Sequence, residues 1–111
     1  MKIAFIGGGK MAEAIITAVL QKKRVIPSAI TVADTDAGRR QYIASTYGVL
    51  TRADNVEAAF GQDVVVLAVK PQNMPAVLAG LQHRLHESQL VISIAAGVKI
   101  KSIVNGLKHS V

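Results

Sequence analysis

The sequence predicts an α/β fold, a parallel sheet with helices wound over both faces. Three observations carry that reading. Short apolar runs alternate with helix-like segments along the whole chain. Residues Asp63 to Val69 contain "VVVLAV", a continuous β-branched run of the kind that suits a strand buried on both faces. Three consecutive glycines, Gly7 to Gly9, separate the first apolar run from the first helical pattern.

Taken in order, Lys2 to Ile6 reads as the first strand and Lys10 to about Lys22 as the first helix. Met11, Ala14, Ile15, Ala18 and Val19 recur near one face of that helix and are its expected apolar side. Ile30 to Ala33 is the second strand. Asp36 is placed to cap a second helix that runs to about Tyr47, and Gly48 to end it in a left-handed conformation. Val49-Leu50 reads as a short third strand, Asp54 to Phe60 as a short helix stopped by Gly61, and Asp63 to Val69 as the fourth strand. Pro75 suits the first turn of a fourth helix that extends to about His86. Leu90 to Ile94 is the fifth strand, and Lys99 to about Leu107 a last helix.

Crossover helices between buried strands imply a doubly wound, three-layer α/β/α arrangement. A doubly wound sheet of six strands would want another strand after Leu107. The sequence stops at His109-Ser110-Val111, so the expectation is a fragment truncated before or within its sixth strand.

A chain of 111 residues suits one domain, and half of those residues are hydrophobic, enough to build a core. No apolar run approaches the ~18 residues of a membrane-spanning helix. The apolar segment before the glycines is too short for a signal peptide. There is no cysteine, hence no disulfide framework or thiolate metal site, and a cytoplasmic location is expected by default. The net charge of +6 fits an ordinary basic surface, or one that attracts an anionic cofactor or substrate. Nucleic acid and membrane are not expected partners. Lys22-Lys23-Arg24 and Arg39-Arg40 are short clusters, and aromatic residues at 4% supply no stacking platform for bases.

Gly7, Gly9 and Ala12 fit G-x-G-x-x-G/A between a strand and a helix, the context the motif requires. The first glycine permits the tight turn. The second lets backbone N–H groups approach a pyrophosphate, and the small third residue lets the helix pack closely on the strand. Phosphates would then sit at the positive end of the helix dipole. The fold class is therefore a Rossmann-type sheet. At the end of strand two, Asp34 follows Ala12 by about the twenty residues expected of a ribose-binding carboxylate, which favours NADH. Arg39 and Arg40 lie a turn or so further on, where either could pair with the 2′-phosphate of NADPH or simply face solvent. "LAVKPQ", Leu67 to Gln72, and "SIAAGV", Ser93 to Val98, leave strands four and five on the same side. Small residues at Ala95, Ala96 and Gly97 would let a flat ring lie against the backbone. Lys70 reads as a site residue or as a surface lysine.

Together "FIGGGKMAEAI", "AVKPQ" and "SIAAGV" resemble the N-terminal half of pyrroline-5-carboxylate reductases, over essentially the whole chain. The resemblance implies reduction of the C=N bond of 1-pyrroline-5-carboxylate to L-proline with NADPH or NADH. It implies that Gly7, Gly8, Gly9, Lys10 and Met11 line the pyrophosphate loop and that Asn55 lies near the adenosine end. It places Ala68, Val69, Lys70 and Pro71 at the nicotinamide side, with Ala96 and Gly97 beyond. Asp34 departs from the small hydroxyl residue or asparagine of many members, so both cofactors stay open. The family's C-terminal helical domain, which makes the dimer and holds the substrate, has no counterpart in this sequence. Homo-oligomerisation through that domain is expected of the full-length protein only.

No catalytic acid or base is nominated. His83 and His86 are expected on the surface of the fourth helix, and Glu13 on the surface of the first. The chain is expected to bind dinucleotide weakly or moderately and to turn over almost no pyrroline carboxylate. Alternative readings are another dehydrogenase, of the β-hydroxyacid or prephenate dehydrogenase type, and a stand-alone nucleotide-binding or sensing module.

Overall fold

The protein was obtained as a computed structural model, and the structure describes residues 1–94. The segment read as "SIAAGV" beyond Ile94, with Ala96 and Gly97, and the last helix expected from Lys99 lie outside the described residues.

Every residue of Ile3–Ile6 (β1) is removed from water, because this apolar strand is covered on both faces. Its parallel neighbours are Ile30–Ala33 (β2) on one side and Val64–Leu67 (β4) on the other. Leu50–Arg52 (β3) adds beyond β2 and Leu90–Ser93 (β5) beyond β4, giving the order β3-β2-β1-β4-β5. The register Ile3↔Ile30 and Ile3↔Val64 aligns the three central strands. All five strands run the same way, so their carboxyl ends share one edge of the sheet.

Alternation along the strands sends side chains into two separate cores. Ile3 and Phe5 of β1, Ile30 and Val32 of β2 and Val66 of β4 pack with Ala12, Ile16 and Ile43. Those last three come from Lys10–Gln21 (α1) and Ala37–Tyr47 (α2). Ile6, Ala33, Val65 and Leu67 pack on the other face with Ala58, Ala59, Met74, Leu78 and Leu81. These belong to Asn55–Ala59 (α3) and Met74–Leu81 (α4). The result is the expected doubly wound α/β/α arrangement.

The local signals act as read. The Asp36 side chain accepts from the Gly38 N–H and starts α2, and Gly48 at φ 73° ends it. Asp54 caps α3 by accepting from the Val56 N–H.

Four expectations are corrected. Of the face expected on α1, Ile15 and Val19 are half-buried and pack on the core, but the fully buried residues are Ala12 and Ile16, while Met11 is 60% exposed and Ala14 and Ala18 also face water. Lys10, Glu13, Thr17 and Gln21 form a polar stripe along the helix, so periodicity turns the side of Ala12, Ile15, Ile16 and Val19 inward but leaves open its innermost line. The close approach of Ala12 to the strand chooses it, and Ile16 follows one turn later. β3 begins at Leu50, with Val49 buried in the core just before it. β4 stops at Leu67, not Val69, because the chain then turns across the first loop. α4 ends at Leu81: Gln82 is extended and His83 left-handed, at φ 61°. His83 and His86 therefore lie past the helix. The buried Gln89 side chain pins this turn, accepting from the His86 N–H and donating to the Ala59 and Gln62 carbonyls.

Candidate functional site

Loops leaving β1, β2 and β4 meet at the carboxyl edge, and their backbone hydrogen bonds define what remains free. Gly7 donates its N–H to the Ala33 carbonyl at 2.8 Å, and Ala68 donates to Ile6 at 2.9 Å. These bonds prolong the sheet ladder by one residue and then release the chain. Gly7 stands at φ +104°, and a Cβ there would lie 3.0 Å from the Ala68 oxygen and 3.1 Å from Val69 Cγ1. The first glycine is thus demanded both by conformation and by the β4 loop crossing beside it. Gly8 donates its N–H to Asp34 Oδ2 at 3.0 Å. Gly9 caps α1 in an extended conformation, and Glu13 donates to its carbonyl as the first helical bond.

With Gly7 and Gly8 committed, the N–H groups left over belong to the start of α1: Gly9, Lys10, Met11 and Ala12. Helix geometry gives those four no intrahelical partner. They carry about half a positive elementary charge between them. A Cβ added at Gly9 would meet nothing within 4 Å, so the space above them is open. Lys10 and Met11 are exposed beside it. This arrangement fits a bound phosphate pair: free donors, positive potential and room.

Asp34 sits at the end of β2 as expected, and its carboxylate also works within the protein. Oδ2 holds the Gly8 N–H, and Oδ1 accepts from the Asp36 N–H at 2.9 Å. Arg40 Nη1 donates to the Asp34 carbonyl at 2.8 Å, which brings a guanidinium to the same strand end. Asn55, half-buried, is the first residue of α3 at the carboxyl edge beyond β3. Ala68 and Val69 are half-buried, while Lys70 and Pro71 are exposed. Pro71 opens a single 3-10 turn, Pro71–Asn73, closed by Asn73 donating to the Lys70 carbonyl. Gly7–Met11, Asp34, Asn55 and Ala68–Pro71 therefore share one edge.

One cluster was missed from sequence. Glu13, expected as a surface residue, has a side chain only 19% exposed. Tyr42 donates its hydroxyl to Glu13 Oε2 at 2.7 Å, Tyr47 donates to the same oxygen, and Arg39 Nη2 donates to Oε1 at 2.8 Å. The Tyr47 hydroxyl, then those of Tyr42 and the Arg39 guanidinium, hold the Glu13 carboxyl down from 4.5 to about 2. The same carboxylate raises the Tyr42 phenol. Arg39 also donates through Nε to the Gly8 carbonyl. The only hint in the sequence is Arg39 and Tyr42, three apart and so on one side of α2. Nothing local says that this side meets Glu13.

An open cleft of about 550 Å³ lies at the opposite, amino edge, between Phe60–Asp63 and His83–Gln89. It contains none of the glycine-loop residues. Among the described residues no group of His, Cys, Asp and Glu is arranged to hold a metal ion, and no helix is long and apolar enough to cross a membrane.

Comparison with known proteins places this geometry. The family model described as NADP oxidoreductase, coenzyme F420-dependent, matches residues 2–97. A pyrroline-5-carboxylate reductase from Synechocystis sp. is 42% identical over 106 residues, covering 96% of this chain and 39% of that protein. The solved pyrroline-5-carboxylate reductase of Coxiella burnetii superposes with a TM-score of 0.89 at 37% identity, over 96% of this chain and 39% of that one. The Plasmodium falciparum pyrroline carboxylate reductase, solved with NADP bound, gives 0.82 at 23% identity, covering 96% of this chain and 38% of that one. At that identity it speaks for the fold alone. This chain thus spans about two-fifths of the length of the relatives it matches. The likeness drawn from the three sequence motifs holds over nearly all of it.

Proposed function

Since the chain belongs to the family of NADP oxidoreductases described as coenzyme F420-dependent, we propose that it binds NADPH or NADH and forms the cofactor-binding half of a pyrroline-5-carboxylate reductase. The observation that carries this reading is the set of free N–H groups at the start of α1. They open onto unfilled space, while the N–H groups of Gly7 and Gly8 are used internally. The 42% identity to a pyrroline-5-carboxylate reductase favours imine reduction over the coenzyme F420 reaction of the family's description.

In this reading the N–H groups of Gly9, Lys10 and Met11 hold the pyrophosphate, and Gly7 and Gly8 shape the loop beneath it. Asp34 borders the adenosine ribose, with Asn55 on the adenosine side. Ala68, Val69, Lys70 and Pro71 border the nicotinamide, and Ala96 and Gly97 complete that side. A dihydronicotinamide supplies the hydride that converts the C=N carbon of 1-pyrroline-5-carboxylate to the C–H of L-proline. The protein fixes distance and face. No side chain among the described residues is assigned a proton transfer in this reading, since a protonated imine is already electrophilic. The substrate carboxylate and the dimer contacts belong to the helical domain that relatives carry beyond this stretch. The full-length protein is a cytoplasmic homo-oligomer in this view.

Titration of the purified chain with NADPH and NADH tests the binding half of the proposal, and an NADPH oxidation assay with pyrroline carboxylate tests the rest. Saturable dinucleotide binding with almost no turnover is expected. Absence of binding would overturn the cofactor reading, and turnover near that of the longer relatives would overturn the division of labour.

A further inference from the structure

The Gly8–Gly9 peptide is held from one side by a charged cluster whose members all lie outside the glycine motif. We infer that Arg39, clamped by Glu13, is a positioning residue that sets the direction of the Gly9 N–H, rather than a ligand of the cofactor's 2′-phosphate. This rests on the dinucleotide reading above and deepens it.

The Gly8 carbonyl and the Gly9 N–H belong to one planar trans peptide, so they point in opposite directions. Arg39 donates through Nε to the Gly8 oxygen, drawing it toward α2. The Gly9 N–H is thereby turned the other way, toward the open space in front of α1. A glycine pair would otherwise let this peptide rotate freely, since neither residue has a Cβ to restrict it. The Gly8 N–H, held by Asp34 Oδ2, fixes the preceding peptide in the same manner.

Arg39 is in turn immobilised. Its Nη2 donates to Glu13 Oε1, and its guanidinium carbon lies 5.0 Å from the centre of the Tyr42 ring. The other Glu13 oxygen receives both tyrosine hydroxyls, so three hydrogen bonds hold the carboxylate in place. Thr17 Oγ1 donates its one proton to the Glu13 carbonyl at 2.9 Å and lies 3.4 Å from the Tyr47 hydroxyl, adding a contact between α1 and α2. With Nε on the loop and Nη2 on Glu13, two of the five N–H donors of Arg39 are engaged, and these two bonds fix the plane of its guanidinium. Arg40, whose Nη1 rests on the half-buried strand end at Asp34, is the arginine left near the ribose.

Arg39→Ala, Arg39→Lys and Glu13→Gln test this, with affinities for NADPH and NADH measured by calorimetry on chains shown to be folded by circular dichroism. Arg39→Ala is expected to weaken both dinucleotides by the same factor, about tenfold. The NADPH to NADH ratio should stay within about twofold of wild type, because the affected N–H serves the pyrophosphate common to both. Arg39→Lys, which can reach the carbonyl or Glu13 but not both, should fall between, as should Glu13→Gln. The Gly9 amide resonance should shift in all three. Loss confined to NADPH would make Arg39 a phosphate ligand and overturn the inference. Unchanged affinity in a folded Arg39→Ala chain would overturn it too. If that variant does not fold, Arg39→Lys with wild-type affinity and an unmoved Gly9 amide would do the same. A wild-type chain that binds neither dinucleotide would overturn the cofactor reading itself, an outcome visible before any variant is compared.

Discussion

Alanine substitutions at Gly7 and at Gly9 are expected to separate the stability of the loop from its binding. Gly7 stands at φ +104°, where an L side chain is strained by about 1–3 kcal/mol. Its new methyl would also sit 3.0 Å from the Ala68 oxygen and 3.1 Å from the Ala68 carbonyl carbon. Those are backbone atoms tied to β1 through Ala68 N–H, so they cannot step aside, and overpacking of this kind costs about 1–3 kcal/mol. Gly7→Ala should therefore lose about 2–6 kcal/mol, and its Tm should fall by about 10 °C or more. Gly9 has φ −79°, open to any residue, and its methyl would touch nothing within 4 Å. Alanine is a poorer cap than glycine by about 0.5–1 kcal/mol, and it narrows the unfolded ensemble by a similar amount, so the two effects nearly cancel. Gly9→Ala should then match wild-type stability to within about 0.5 kcal/mol. Its methyl stands where the phosphates approach, so NADPH affinity should drop tenfold or more, about 1.4 kcal/mol. Thermal denaturation and calorimetric titration of both variants supply the four numbers. A Gly9→Ala chain that keeps wild-type affinity would remove the pyrophosphate from this loop. A Gly7→Ala chain with wild-type Tm would refute the clash.

Other expectations follow from single contacts. Asp34→Ser should raise the NADPH to NADH affinity ratio by removing a charge that repels a 2′-phosphate. It should also lose about 2 kcal/mol, since the Gly8 and Asp36 N–H groups then share one hydroxyl; an unmoved ratio in a titration would take Asp34 out of the ribose site. Asp36→Ala should cost about 1 kcal/mol in urea denaturation, because the Gly38 N–H loses its acceptor. The Glu13 carboxyl is depressed in the fold from 4.5 to about 2, so its stabilising contribution is complete above 4.5 and disappears as pH falls toward 2. Wild type should thus be more stable than Glu13→Gln at neutral pH and converge on it in acid. A Tm difference that does not shrink across that range would count against the tyrosine and arginine bonds to the carboxylate.

What could be read from the sequence was whatever neighbouring residues decide among themselves. A β-branched run such as "VVVL" marks a strand buried on both faces. Asp36 and Asp54 satisfy N–H groups two residues on, and Gly48 adopts a backbone conformation open to it alone at little cost. The glycine loop belongs to the same class, being a turn between one strand and one helix, and so the candidate site was legible at its centre. The burial of Ala12 and Ile16 was implicit there as well, since the small third residue of the motif must face the strand. Tertiary structure decided the rest. Asp34 reaches Gly8 because β1 and β2 lie side by side, 26 residues apart in the chain, and Arg39 meets Glu13 at the same remove. Such pairings depend on where α1 and α2 come to rest on the sheet, which is set by the packing of Ile16 and Ile43 into one core. Periodicity reports which side of an element is apolar, as the polar stripe of Lys10, Glu13, Thr17 and Gln21 does for α1, not which residue of a distant element will stand opposite.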